Sequence, residues 1–74
     1  MRLQAKSMKI MQRRIEKGWD KISLAREANI NQSLISRIES GGRTSPATAK
    51  AIADALEVAV FEIFELLEHQ GVGA

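Results

Sequence analysis

The chain has no cysteine, one proline, one tryptophan and one histidine among its 74 residues. Without cysteine there is neither a disulfide framework nor a thiolate metal site, which fits the reducing cytoplasm. No apolar run approaches the length of a membrane span, and the amino-terminal M-R-L-Q-A-K-S-M-K lacks the apolar centre of a signal peptide. A soluble cytoplasmic protein with no membrane contact is expected. Catalysis would need a constellation that is missing: there is no second histidine, no phosphate-cradling G-x-x-x-x-G-K-S/T, and no carboxylate pair within a pocket-sized domain. The expectation is therefore no enzyme, no cofactor and no evident small-molecule effector site. His69, in an acidic end, is not read as a metal ligand.

Positive charge is missing from the last third of the chain. Residues 1–50 hold all eleven Lys and Arg against four acids (Glu16, Asp20, Glu27, Glu39), a balance of +7, whereas residues 51–74 hold five acids and no Lys or Arg, a balance of −5. The net charge of +2 hides this polarity. A basic portion is what a phosphate-facing surface needs, because phosphate contacts and counterion release supply most non-specific affinity for nucleic acid. Alone, the same charges equally suit a solvated helical face. At this length one domain is expected, with a small core that needs good helix packing or self-association.

The stretch Lys21 to Gly41, K-I-S-L-A-R-E-A-N-I-N-Q-S-L-I-S-R-I-E-S-G, reads as two helices and a turn. Leu24, Ala25 and Ala28 share one helix face, and Asp20 can accept bonds from that helix's free amides. Asn29 suits the left-handed conformation that ends a helix sharply, with Ile30 tucking inward after it. Asn31 is a good N-cap for the second helix, where Leu34, Ile35 and Ile38 follow at helical spacing while Gln32, Ser33, Ser36 and Arg37 point elsewhere. An ordinary helical-bundle core would satisfy the apolar positions too.

These positions resemble the DNA-binding helix-turn-helix, with small Ala25 at the helix crossing and Asn29 where glycine is usual. More narrowly, I-S-R-I-E-S-G (Ile35 to Gly41), R-T-S-P and A-I-A-D-A-L-E-V are similar to the lambda-repressor/Cro-like (XRE-type) family over roughly residues 9 to 67. The resemblance implies an all-α, compact five-helix lambda-repressor-like domain, with the helix-turn-helix formed by helices two and three. It would occupy residues 1–69, with helices at about 4–17, 21–28, 32–39, 46–56 and 60–68, and a disordered tail at 70–74. By position it assigns base contacts to Gln32, Ser33, Ser36 and Arg37. Phosphate contacts fall to Lys21, where the family usually has glutamine, to Asn31, and to Arg43 and Thr44 with the amides near Ala47. Arg14 matches an arginine that pairs with the glutamate at Glu39, fastening helix one to helix three; a phosphate contact is the other reading of Arg14. Glu57 stands where glycine is frequent, and Arg13 where an aliphatic residue is usual, leaving Met11 or Ile15 to fill the core.

The remaining chain reads as connectors and two further helices. Met1 to Lys17 contains no Gly or Pro, and Gly18 closes it as a cap. Trp19 is read as a lid between helices one and two, with base stacking as the alternative. Gly41 and Gly42 end helix three; Ser45 caps helix four, with Pro46 at its first position. Ala49, Ile52, Ala53 and Leu56 make one core face, and Val60, Ile63, Phe64 and Leu67 another. Phe61 and Leu66 fall off that last face. Since the last helix of related repressors contributes to dimerisation, Phe61 and Leu66 are candidates for a dimer surface. The function implied is a sequence-specific, double-stranded DNA-binding transcriptional regulator, a repressor acting as a homodimer on pseudo-palindromic operator DNA. The alternative is a protein-interaction module, such as an antitoxin or co-regulator, working mainly through a protein partner.

Overall fold

A computed structural model describes residues 2–67. The chain runs β1 (Leu3–Ala5), α1 (Ser7–Glu16), α2 (Lys21–Ala28), α3 (Gln32–Glu39), β2 (Arg43–Thr44), α4 (Pro46–Leu56), α5 (Val60–Ile63) and β3 (Phe64–Leu66). The helices surround one core in which Ile10, Leu24, Ile35, Ile38, Ile52, Ile63 and Phe64 are fully buried. Trp19, Ile30, Leu34, Val58 and Val60 pack against it from its margin. Ile15 is exposed and Met11 half-buried, so Ile10 is the residue of α1 that reaches the centre.

Four helices end by the same device. Gly18, Asn29, Gly41 and Glu57 all have φ between 60° and 96°. At each, the left-handed residue donates its N–H three residues back, and the next residue reaches five back: Gly18 to Ile15 and Trp19 to Arg14, Asn29 to Arg26 and Ile30 to Ala25, Gly41 to Ile38 and Gly42 to Arg37, Glu57 to Asp54 and Val58 to Ala53. These paired bonds satisfy carbonyls that have no partner within the helix. Three of the four following residues, Trp19, Ile30 and Val58, then fold back on the core. The fourth is Gly42, after which the chain enters a strand instead.

The strands depart from the sequence expectation. Helix one begins at Ser7 rather than about residue 4, because Leu3 and Ala5 are buried with Gln4 between them less so, a period of two. The loop before helix four contains β2. Helix five stops after one turn, at Ile63, since Phe64 is already extended (φ −136°, ψ 158°). The three strands form an antiparallel sheet of order β2-β1-β3, with Leu3 opposite both Thr44 and Leu66, and Gln4 opposite both Arg43 and Glu65. Pairing to segments some 40 and 60 positions away outweighs the helical preference of the amino terminus. The expected tail at 70–74, the last position of helix five and His69 lie outside the described residues. No helix among the described residues is long and apolar enough to cross a membrane.

Candidate nucleic-acid interface

Helix α3 is held by its buried side and its far end. Ile35 and Ile38 sit in the core, and Glu39 is buried behind them. The Arg14 guanidinium donates to both Glu39 oxygens, Nε to Oε2 at 2.6 Å and Nη2 to Oε1 at 2.9 Å, and Nη1 donates to the Trp19 carbonyl at 3.0 Å. The side chains are 11% and 2% exposed, so the pair is largely withdrawn from water. The hydrogen bonds from Arg14 to Glu39 raise the guanidinium's pKa above its ordinary value despite burial. Arg14 therefore stays charged throughout the working pH range. One side chain thus ties α1, the turn before α2, and the end of α3 together.

The opposite edge of α3 is open. Gln32, Ser33 and Arg37 are exposed, Ser36 is half-buried between them, and Asn31, Ser33, Leu34 and Arg37 line a shallow open groove. Asn31 occupies the N-cap position in extended backbone (φ −74°, ψ 141°), and its carbonyl accepts from the Leu34 and Ile35 amides. Its side chain makes no capping bond, so the exposed Asn31 amide group and the first N–H groups of α3 are not spent on one another. At the start of α2 the situation differs. Asp20 accepts from the Ser23 N–H at 2.8 Å, a bond that holds its carboxyl below the usual range. Part of the free-amide capacity expected there is already used, and Lys21, half-buried at the first position, is the cation that remains.

Across the loop after α3, Arg43 is exposed whereas Thr44 is buried opposite Leu3. Of that expected pair, the arginine is the one whose side chain reaches the surface. Ser45 accepts from the Thr48 N–H at 3.4 Å and Pro46 has no N–H. The Ala49 N–H is taken by the Ser45 carbonyl. Ala47 is exposed, and among the described residues its N–H is the donor of this first turn left without a protein acceptor, at the positive end of the helix dipole.

The pairing of charges sharpens the polarity of the chain. Arg13 meets Glu16 and Glu62, Lys17 meets Glu57, and Lys50 meets Asp54. The acidic carboxyl-terminal part thus neutralises cations of α1 and α4. Lys21, Arg26, Arg37 and Arg43 form no salt bridge among the described residues. Unmatched cations on α2, α3 and β2 are available to an external polyanion. Phe61 and Leu66 lie on α5 and β3, 62% and 42% exposed.

Sequence reasoning did not find the amino-terminal contacts to this region. Gln4, Ser7 and Arg2 bond carbonyls between Ile38 and Arg43, and nothing local in the sequence announces partners so distant.

A short helix crossing a second, with the second buried on one side and presenting small polar and cationic groups on the other, defines a helix-turn-helix DNA-binding domain. A family model described as helix-turn-helix matches residues 10–63. The chain belongs to the Cro/C1-type (XRE) helix-turn-helix family and is a DNA-binding transcription regulator. Neither the curated proteins nor the solved structures contain a match to it.

Proposed function

We propose that the protein is a sequence-specific repressor that binds double-stranded operator DNA as a homodimer. The observation that carries this reading is the exposed row Asn31, Gln32, Ser33 and Arg37 along a helix whose other side and end are locked. Gln32 suits the adenine N6 and N7 edge, Arg37 a guanine O6 and N7 edge or a phosphate, and Ser33 and Ser36 several base edges at close range. Lys21, Asn31, Arg43 and the Ala47 amide hold the phosphates that fix the docking angle, with Thr44 contributing through backbone placement. One such domain buries too little surface for strong site choice. Two copies on half-sites about one helical turn apart, in pseudo-palindromic DNA, answer that need. Phe61 and Leu66 are the proposed dimer surface, and a cytoplasmic location follows from the target.

The test is fluorescence anisotropy against a pool of random-sequence duplexes at two salt concentrations, with the bound fraction sequenced. Enrichment of an inverted repeat is expected, and Gln32→Ala with Arg37→Ala should erase discrimination between that repeat and random DNA. Steeply salt-dependent binding without enrichment would overturn sequence specificity. The exposure of Phe61 and Leu66 favours a second reading, in which the domain acts mainly through another protein. A homodimer by sedimentation supports the operator reading; a monomer that forms a defined complex with a larger factor supports the second.

A further inference from the structure

The geometry points to the amino-terminal segment as a positioning element for the DNA-facing loop, acting through Gln4 and Ser7. Four bonds run from it to the six residues that carry the chain out of α3. Gln4 Nε2 donates to the Gly41 carbonyl at 2.7 Å, and Ser7 Oγ to the Ile38 carbonyl at 3.3 Å. The Ala5 N–H donates to the Gly42 carbonyl at 3.2 Å, and Arg2 Nη2 to the Arg43 carbonyl at 3.4 Å. The Ile38 carbonyl, which already accepts the Gly41 N–H, takes Ser7 as a second donor, and the Gly41 carbonyl, just past the helix end, takes Gln4. The segment thus reinforces the C-terminal end of α3 from elsewhere in the chain.

The loop it holds leaves little room for adjustment. Gly41 has φ +96°, and a Cβ added at Gly42 would stand 2.8 Å from the Arg37 carbonyl oxygen. Gly42 is therefore pressed against the backbone of α3 at the residue whose side chain is offered to DNA. One residue beyond, Arg43 pairs with Gln4 across the strands. Withdrawing the Gln4 amide frees the Gly41 carbonyl and loosens the step between Arg37 and Arg43. Gln4 and Ser7 carry no charge, yet they set where a cation meets the phosphates. The inference rests on the reading of Arg43 as a phosphate contact.

Gln4→Met keeps side-chain length and removes the donor; Ser7→Ala is the second variant. Each is compared with Arg43→Ala and with the double variants, using the full chain and a mixed-sequence 30-base-pair duplex over a salt series, with folding checked by circular dichroism. Loss of a hydrogen bond of ordinary strength predicts binding weakened by about 2- to 10-fold. The decisive readout is the salt slope. Removing one phosphate contact lowers its magnitude by about 0.9, so Arg43→Ala and the uncharged Gln4→Met should flatten it alike, and the double variant should lose no more than Arg43→Ala alone. If Arg43→Ala flattens the slope while Gln4→Met and Ser7→Ala leave it unchanged, or if losses simply add, the positioning role is overturned and the DNA face stands. If Arg43→Ala itself has no effect on affinity or slope, the assigned phosphate contact falls, and this inference with it. Should Gln4→Met fail to fold, Ser7→Ala decides on the same criteria.

Discussion

The Arg14–Glu39 pair should be strongly destabilising to break from one side and less costly to replace as a unit. Arg14→Met leaves the Glu39 carboxylate 2% exposed with neither guanidinium bond. Glu39→Leu leaves a guanidinium at 11% exposure with the Trp19 carbonyl as its remaining acceptor. Removing one member of a buried pair costs about 3–5 kcal/mol. A domain of this size has roughly 4–11 kcal/mol of total stability at the usual value per residue, so either single change removes a large fraction of it. Because 1 kcal/mol shifts Tm by about 4–8 °C in domains of this length, each single variant should melt more than about 10 °C below the wild type. The double variant gives back both desolvation costs and loses the bond to the Trp19 carbonyl, worth about 1–3 kcal/mol if left unmade. It should therefore recover most of the loss. Urea unfolding followed by fluorescence of Trp19, the sole tryptophan, gives the four free energies of the cycle. Single variants each within about 1 kcal/mol of wild type and additive in the double would refute the claim that the pair ties α1 to α3.

Two further outcomes follow from helix ends. Asp20→Ala should lower Tm at pH 7 by removing the acceptor of the Ser23 N–H. Because folding depresses the Asp20 pKa, its contribution is present above the unfolded carboxyl range and fades as pH falls through the folded value. Melting curves at pH 7 and at about pH 3, below the ordinary aspartate value, should show the gap narrowing, and a constant gap would contradict the assignment. Glu57→Gly should raise Tm, since Glu57 occupies φ 60° and its bond to Lys17 is made by a 77% exposed side chain. A lower Tm would show that the Lys17 bond outweighs the backbone relief.

Elements written in local residue order were legible in the sequence. The boundaries of α2, α3 and α4 coincide with Asp20 and Asn29, with Asn31, and with Ser45 and Pro46, because caps and stops act within a few residues of where they stand. The strands were not legible. Leu3-Gln4-Ala5 is too short to separate a period of two from a helical turn, and its pairing partners stand far along the chain. The same nonlocal pairing cuts α5 short: Val60, Ile63, Phe64 and Leu67 fit a helix, but Phe64 and Leu66 are taken into the sheet beside Ala5 and Leu3.

The candidate site divides along the same line. Which residues of α3 face outward follows from helical spacing once Ile35 and Ile38 are assigned to the core, so Gln32, Ser33 and Arg37 could be named without coordinates. What holds them is partly local and partly not. The left-handed residues on either side of α3, Asn29 and Gly41, are written in the chain, whereas further donors to the far end come from Gln4 and Ser7. β1 is central in the sheet, between the strand that presents Arg43 and the strand that carries Leu66. A partner docking at Leu66 and a phosphate at Arg43 would therefore act on opposite edges of one three-residue strand. Ordering that strand from either edge lowers the entropy left to lose at the other, so self-association through Phe61 and Leu66 should tighten DNA binding even where the second copy touches no DNA. Phe61→Ser with Leu66→Ser gives the check: if the variant is monomeric, its affinity for a duplex carrying a single half-site should fall below that of the dimer after correction for the number of binding domains. Equal corrected affinities would mean that β1 holds the loop rigidly whatever happens at its other edge.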